Sequence, residues 1–193
     1  VLEKNKLDGI DLDFEWAENE KEYKDYSLAI LKMREVLGDK YLFSVSLHPV
    51  CYKISKEAIE AVDFISLQCY GPSPVRFPIE KYCSDIQMVL EYGIPKEKLV
   101  AGVPFYGVTK DNSKKTEAYF NFVQNGLVTS PAQNEVIYQG DTYVFDGQDN
   151  IRIKTRYAKE QKLKGMMSWD LATDLPLSDS RSLLKTMTEE LRE

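Results

Sequence analysis

An α/β fold built on a parallel sheet is what this 193-residue chain predicts, and three observations carry that reading. Runs rich in β-formers alternate with runs of helical period, the pattern of successive βαβ units. Glycine and aromatic residues close one strand-like run after another, at Tyr70, Tyr106 and Trp169. In the first such run, Asp11, Asp13 and Glu15 alternate with Ile10, Leu12 and Phe14, so a strand would place the acids on one face and the apolar residues on the other.

Residues 1–6 read as the last turn of a helix, and residues 8–16 as the acidic strand. Residues 19–37 carry Tyr23, Tyr26, Ala29, Ile30, Met33 and Leu37 at helical spacing, with Gly38 as the stop. A strand over 41–47, a short helix over 56–61 and a strand over 62–70 follow. The loop Gly71-Pro72-Ser73-Pro74 ends that strand, a helix over 79–92 stops at Gly93, and 99–107 is again a strand. An excursion then runs to about residue 150, with a helix predicted over 116–124 and a hairpin formed by 135–139 and 142–145 around Gly140-Asp141. A helix over 151–162, a strand over 165–169 and a helix over 182–191 complete the chain.

Five strand and helix pairs result, with no internal repeat or linker, so one domain is expected. Such units form either an open doubly wound sheet or a barrel. No glycine-rich phosphate loop follows any strand, which removes the nucleotide-binding version of the open sheet. In a barrel the active site gathers at the carboxyl ends of the strands, where Glu15, Tyr70, Tyr106 and Trp169 stand.

A net charge of −6 argues against nucleic acid or an anionic membrane as partner and suits a neutral or polar substrate. No apolar run approaches the roughly 20 residues of a membrane span, and no signal peptide opens the chain. Because the first residues read as mid-element, targeting information has room upstream. Cys51, Cys69 and Cys83 lack CxxC or Cys/His spacing, so no zinc site is expected and no disulfide is assigned. His48 is the single histidine, which excludes a His-rich metal site, and it is read as structural or cleft-lining.

Three carboxyl groups in file, roughly 6.6 Å apart along a strand, repel one another strongly in a sheltered place. At least one then keeps a proton near neutrality beside another that stays charged, the pairing that general acid catalysis needs. The plain alternative is a solvated acidic strand face with no function. A calcium loop competes poorly, since Trp16 occupies the position where that loop wants glycine.

The run Asp8-Gly9-Ile10-Asp11-Leu12-Asp13-Phe14-Glu15 resembles the D-G-x-D-x-D-x-E signature of the family 18 glycoside hydrolases, the chitinases and endo-β-N-acetylglucosaminidases. Gln68-Cys69-Tyr70, Gly102-Val103-Pro104-Phe105-Tyr106-Gly107 and Gly165-Met166-Met167-Ser168-Trp169-Asp170 look like that family's strands six, seven and eight. The resemblance implies a (β/α)8 TIM barrel, here strands four to eight with their helices. It also implies a retaining, substrate-assisted hydrolase of β-1,4-linked N-acetylglucosamine glycans, with chitin oligomers, peptidoglycan-type glycans and the N-glycan core all open as substrates. Glu15 would be the acid, Asp13 the acetamido partner, Asp11 the proton-sharing neighbour of Asp13, and Tyr70 the donor to the acetamido oxygen. Trp169 would stack under the sugar, Gln68 and Tyr106 would line the cleft, and Asp8 would support the strand end. Neither metal nor organic cofactor is implied, and the protein would be secreted or at the cell surface. The alternative is a catalytically silent, lectin-like binder of chitooligosaccharides, a class usually marked by loss of the acid that Glu15 retains. A third reading is a fragment with no activity of its own, half the cleft being absent.

Departures from the family pattern shape further expectations. Gly71 stands where many chitinases carry Asp or Asn, which removes a polar contact near the leaving sugar. The excursion after strand seven is short for a deep groove, so a shallower cleft suited to short or branched substrates is expected. Strands one to three have no counterpart, which makes the chain read as the carboxyl-terminal part of a longer enzyme. Two sheet edges would then be left to self-association or rearranged strands.

Overall fold

The computed structural model describes residues 1–192. After a short helix α1 (Leu2–Asn5), the acidic run forms β1 (Gly9–Asp13) and leads into α2 (Glu20–Leu37). Asn19 caps α2 by accepting from the Glu22 N–H at 3.1 Å, satisfying one of the otherwise unpaired amino-end donors. Next come β2 (Leu42–Leu47), α3 (Lys56–Ala61), β3 (Phe64–Leu67) and α4 (Ile79–Tyr92). Gly93 ends α4 with φ 112°, a left-handed conformation that a residue with a Cβ adopts only with strain.

The strand expected over 99–107 is two strands. β4 (Leu99–Pro104) belongs to the parallel sheet, and β5 (Tyr106–Thr109) turns away after Phe105 into a second sheet. The helix expected over 116–124 is also corrected. Its first three residues form β6 (Thr116–Ala118), paired antiparallel with β5, and only α5 (Tyr119–Gln124) is helical. Edge pairing of the backbone outweighs local helical spacing there. The hairpin is found as β7 (Glu135–Tyr138) and β8 (Asp141–Val144), and β8 also pairs with β5. The excursion is therefore a four-stranded antiparallel sheet, in order β6-β5-β8-β7, accompanied by α5. The chain returns through α6 (Gln148–Glu160), β9 (Gly165–Trp169) and α7 (Leu183–Arg192).

The five parallel strands lie in the order β1-β2-β3-β4-β9, the order in which they follow one another along the chain. Doubly wound sheets reverse their order at a switch point, and no reversal occurs here, so the winding is that of a barrel. Within this sheet β1 and β9 are the two edges.

Alternation along the strands separates two faces. Phe43, Val45 and Leu47 of β2, Ile65 and Leu67 of β3, and Leu99, Ala101 and Val103 of β4 are buried with Ile30, Ile59, Ile86 and Ile151 of the helices. Each of the larger side chains among them, Ala101 aside, contributes roughly 1.5–3 kcal/mol by leaving water. Ser44, Ser46 and Ser66 alternate with these residues and so line the other face, together with Asp11 and Asp13. Beneath the turn after β8, Lys154 and Asp146 form an ion pair of 2.5 Å with both residues at most 1 % exposed. The Lys154 ammonium also lies 5.9 and 5.5 Å from the ring centroids of Phe77 and Tyr82.

Candidate active site

At the carboxyl ends of the parallel strands a cavity of about 240 Å³ opens, lined by Asp13, Glu15, Gln68, Tyr70, Tyr106 and Trp169 with Trp16, His48, Gly71 and Pro72. Six of the seven residues expected at the site therefore share one cleft. Asp11 is the exception. Parallel pairing sets Asp11 beside Ser44 and Asp13 beside Ser46, one step nearer the mouth. The Ser44 hydroxyl donates to Asp11 Oδ1 at 2.5 Å and the Ser46 hydroxyl to Oδ2 at 2.9 Å, so both carboxylate oxygens of Asp11 have donors. Sequence reasoning did not identify these serines as partners, although their alternation with Phe43, Val45 and Leu47 was a visible signal.

Asp13 accepts from the Gln68 amide, whose Nε2 lies 3.3 and 3.4 Å from the two carboxylate oxygens. Its pKa is raised, first by loss of water and then by the charges of Glu15 and Asp11, while the Gln68 bond works in the opposite direction. The acids are less sheltered than the strand pattern suggested: Asp11, Asp13 and Glu15 all keep exposure, and Ile10 and Phe14 on the opposite face are 39 % and 43 % exposed. Position explains this, because β1 is a sheet edge paired only with β2.

Tyr70 is buried, and burial followed by the neighbouring Tyr106 raises its pKa, so the hydroxyl keeps its proton and can donate. Its OH lies 3.6 Å from Met167 Sδ, and its ring meets Tyr106 edge-on with centroids 6.5 Å apart. Trp169, by contrast, offers an open apolar surface to the cleft and is 55 % exposed. The Glu15–Trp16 and Trp169–Asp170 peptides are cis.

Gly102 explains how close Tyr70 can come to β4. A Cβ at this position would stand 2.8 Å from both the Leu67 carbonyl oxygen and Tyr70 Cε1, and 3.0 Å from Met167 Cε. Gly102→Ala is therefore expected to cost about 1–3 kcal/mol by overpacking, read as a lower urea midpoint at unchanged slope. An unshifted midpoint would show that Tyr70 can move aside freely.

The sequence matches the model of the glycosyl hydrolases family 18 over residues 1–174. The chain belongs to this family. Among curated relatives, it is 23 % identical to probable chitinase 2 of Drosophila melanogaster, over 90 % of the chain and 49 % of that protein. The family 18 chitinase ChiB of Flavobacterium johnsoniae superposes with a TM-score of 0.79 at 28 % identity, covering 98 % of this chain and 62 % of that one. A plant class V chitinase mutant from Cycas revoluta, solved with (GlcNAc)3, superposes with a TM-score of 0.82 at 16 % identity, over 99 % of this chain and 70 % of that one. This family 18 chain thus spans about half the length of the relative from Drosophila melanogaster. Its parallel sheet is a partial α/β barrel, the fold that these structures share.

Among the described residues, no group of three or more His, Cys, Asp or Glu side chains is placed to hold a metal ion. Nor is any of the described helices long and apolar enough to cross a membrane. The three cysteines are free.

Proposed function

We propose that this family 18 domain serves a retaining hydrolase of β-1,4-linked N-acetylglucosamine glycans, working by substrate-assisted catalysis. The observation that carries the proposal is the meeting of Glu15, a raised-pKa Asp13 and the protonated Tyr70 in one cleft with the open ring of Trp169. An N-acetylglucosamine unit would stack its apolar face on Trp169, with its acetamido group between Asp13 and Tyr70.

In the first step the acetamido oxygen bonds to the anomeric carbon as the glycosidic bond breaks, and Glu15 gives its proton to the leaving oxygen. Asp13 accepts from the acetamido N–H and balances the positive oxazolinium, while Tyr70 donates to the acetamido oxygen. In the second step Glu15 takes a proton from water as the water oxygen adds to the anomeric carbon from the leaving-group side, and the bond from that carbon to the acetamido oxygen breaks, restoring the neutral acetamido group and giving net retention. Asp11, held by Ser44 and Ser46, adds negative charge behind Asp13 and so favours the shared proton. Secretion or cell-surface display accords with an external glycan as substrate and is part of the same proposal.

The test is release of fluorophore from a fluorogenic N,N′-diacetylchitobioside, run beside binding of chitotriose followed by tryptophan fluorescence. Turnover with retained configuration supports the hydrolase. Saturable binding without turnover would assign the cleft to a lectin-like role.

A further inference from the structure

His48, at the rim of the cleft, has no part in the proposed reaction. It is the sole histidine of the chain, is 8 % exposed and follows β2 directly. The Val50 backbone N–H donates to its Nδ1 at 3.2 Å, so that nitrogen carries a lone pair. Nε2 then bears the hydrogen and donates to the Tyr70 carbonyl at 3.2 Å. One neutral tautomer satisfies both nitrogens, and a second proton on Nδ1 would oppose N–H to N–H.

The same turn reaches the acid-bearing segment in two places. The imidazole meets the Trp16 ring edge-on with centroids 4.8 Å apart. Cys51, whose N–H donates to the His48 carbonyl at 2.7 Å, presents its Sγ to the Ala17 N–H at 3.0 Å. The segment after Glu15 and the segment of Tyr70 are therefore tied to one two-residue reversal at the end of β2.

We infer that His48 is a positioning residue, which as its Nε2–H tautomer holds the Tyr70 backbone and the Trp16 segment in fixed relation and so sets the spacing between Glu15 and Tyr70. Its effect on rate rests on the hydrolase reading; its effect on geometry does not. The charged groups that act on it are Arg76, Lys81 and Asp85, of which Asp85 accepts from both cations. Burial first, and Arg76 second, pull the His48 pKa down to about 4, so the ring is neutral at ordinary pH. The native state then binds fewer protons than the unfolded chain between about pH 6.5 and 4. The stability this provides is fully present above that window and is lost as pH falls through it.

A single histidine makes the test unambiguous. In the chain labelled with ¹⁵N-histidine, two-bond ¹H–¹⁵N spectra should show the Nε2–H tautomer and no titration near pH 6.5. His48→Gln can still donate to the Tyr70 carbonyl, whereas His48→Asn can keep only the acceptor for Val50. Both are expected to fold by circular dichroism. Chitotriose affinity and kcat should fall further in the Asn variant than in the Gln variant, with kcat lower by on the order of tenfold to a hundredfold and KM changing less. An Nδ1–H tautomer, ordinary titration, or equal loss in the two variants would overturn the inference. The expected tautomer and affinity order without turnover in the parent chain would support the positioning role and overturn the hydrolase reading alone.

Discussion

Glu15→Gln is expected to lower kcat toward N,N′-diacetylchitobioside by about 10²–10⁴-fold while chitotriose affinity stays within a few-fold. The amide keeps the shape of the side chain and removes the transferable proton, so binding on Trp169 survives and protonation of the leaving oxygen does not. A second consequence follows from the electrostatics of the strand. Glu15 is the larger of the two carboxylate charges that raise the Asp13 pKa, after desolvation. Removing that charge should move the Asp13 titration downward, so that Asp13 becomes a carboxylate at lower pH than in the parent chain. Carbon-detected NMR of the aspartate carboxyls reads this directly. Unchanged turnover in the variant would remove Glu15 from the acid role, and turnover absent from both chains with chitotriose still bound would make the cleft a lectin site.

Asp146→Ala is expected to destabilise the domain by about 3–5 kcal/mol, a large share of the roughly 5–15 kcal/mol that holds a typical domain together. Lys154 is fully buried, and removing its partner would strand an ammonium among Phe77, Tyr82 and the Asn150 amide that now donates to Asp146 at 3.2 Å. The aromatic faces offset only part of that loss. Replacing both partners, as Asp146→Ala with Lys154→Met, should recover much of the stability, because no uncompensated charge remains. Urea titration of the two single variants and the double variant measures the coupling. A single-variant loss under about 1 kcal/mol would mean that water reaches the ammonium.

Much of this molecule was legible before any coordinates. The helix over 19–37 announced itself by the spacing of Tyr26, Ile30 and Met33 and by the stop at Gly38, and the structure places it at Glu20–Leu37 with Asn19 as its cap. Such signals are local: they depend on residues within one or two turns of each other. The acidic alternation in β1 was readable for the same reason, and six of the seven residues it and the later strand ends pointed to line one cavity. Phe105 is a contrary case. Residues 99–107 have uniform strand character, yet the chain leaves the parallel sheet there, because Tyr106–Thr109 pairs with partners from 116 to 118 and 143 to 144. Thr116–Ala118 has helical spacing and is a strand because β5 lies beside it.

By itself the sequence determined the period of most elements and the acidic face of β1, since both follow from side-chain alternation and local propensity. Only the tertiary structure decided register, and with it the different surroundings of the acids. Asp11 and Asp13 are equivalent by spacing, but pairing of β1 with β2 gives Asp11 two serine hydroxyls and gives Asp13 the cavity and Gln68. Those partners lie 33 to 55 residues away, and their selection depends on burial summed over the whole sheet, which no local window of sequence contains.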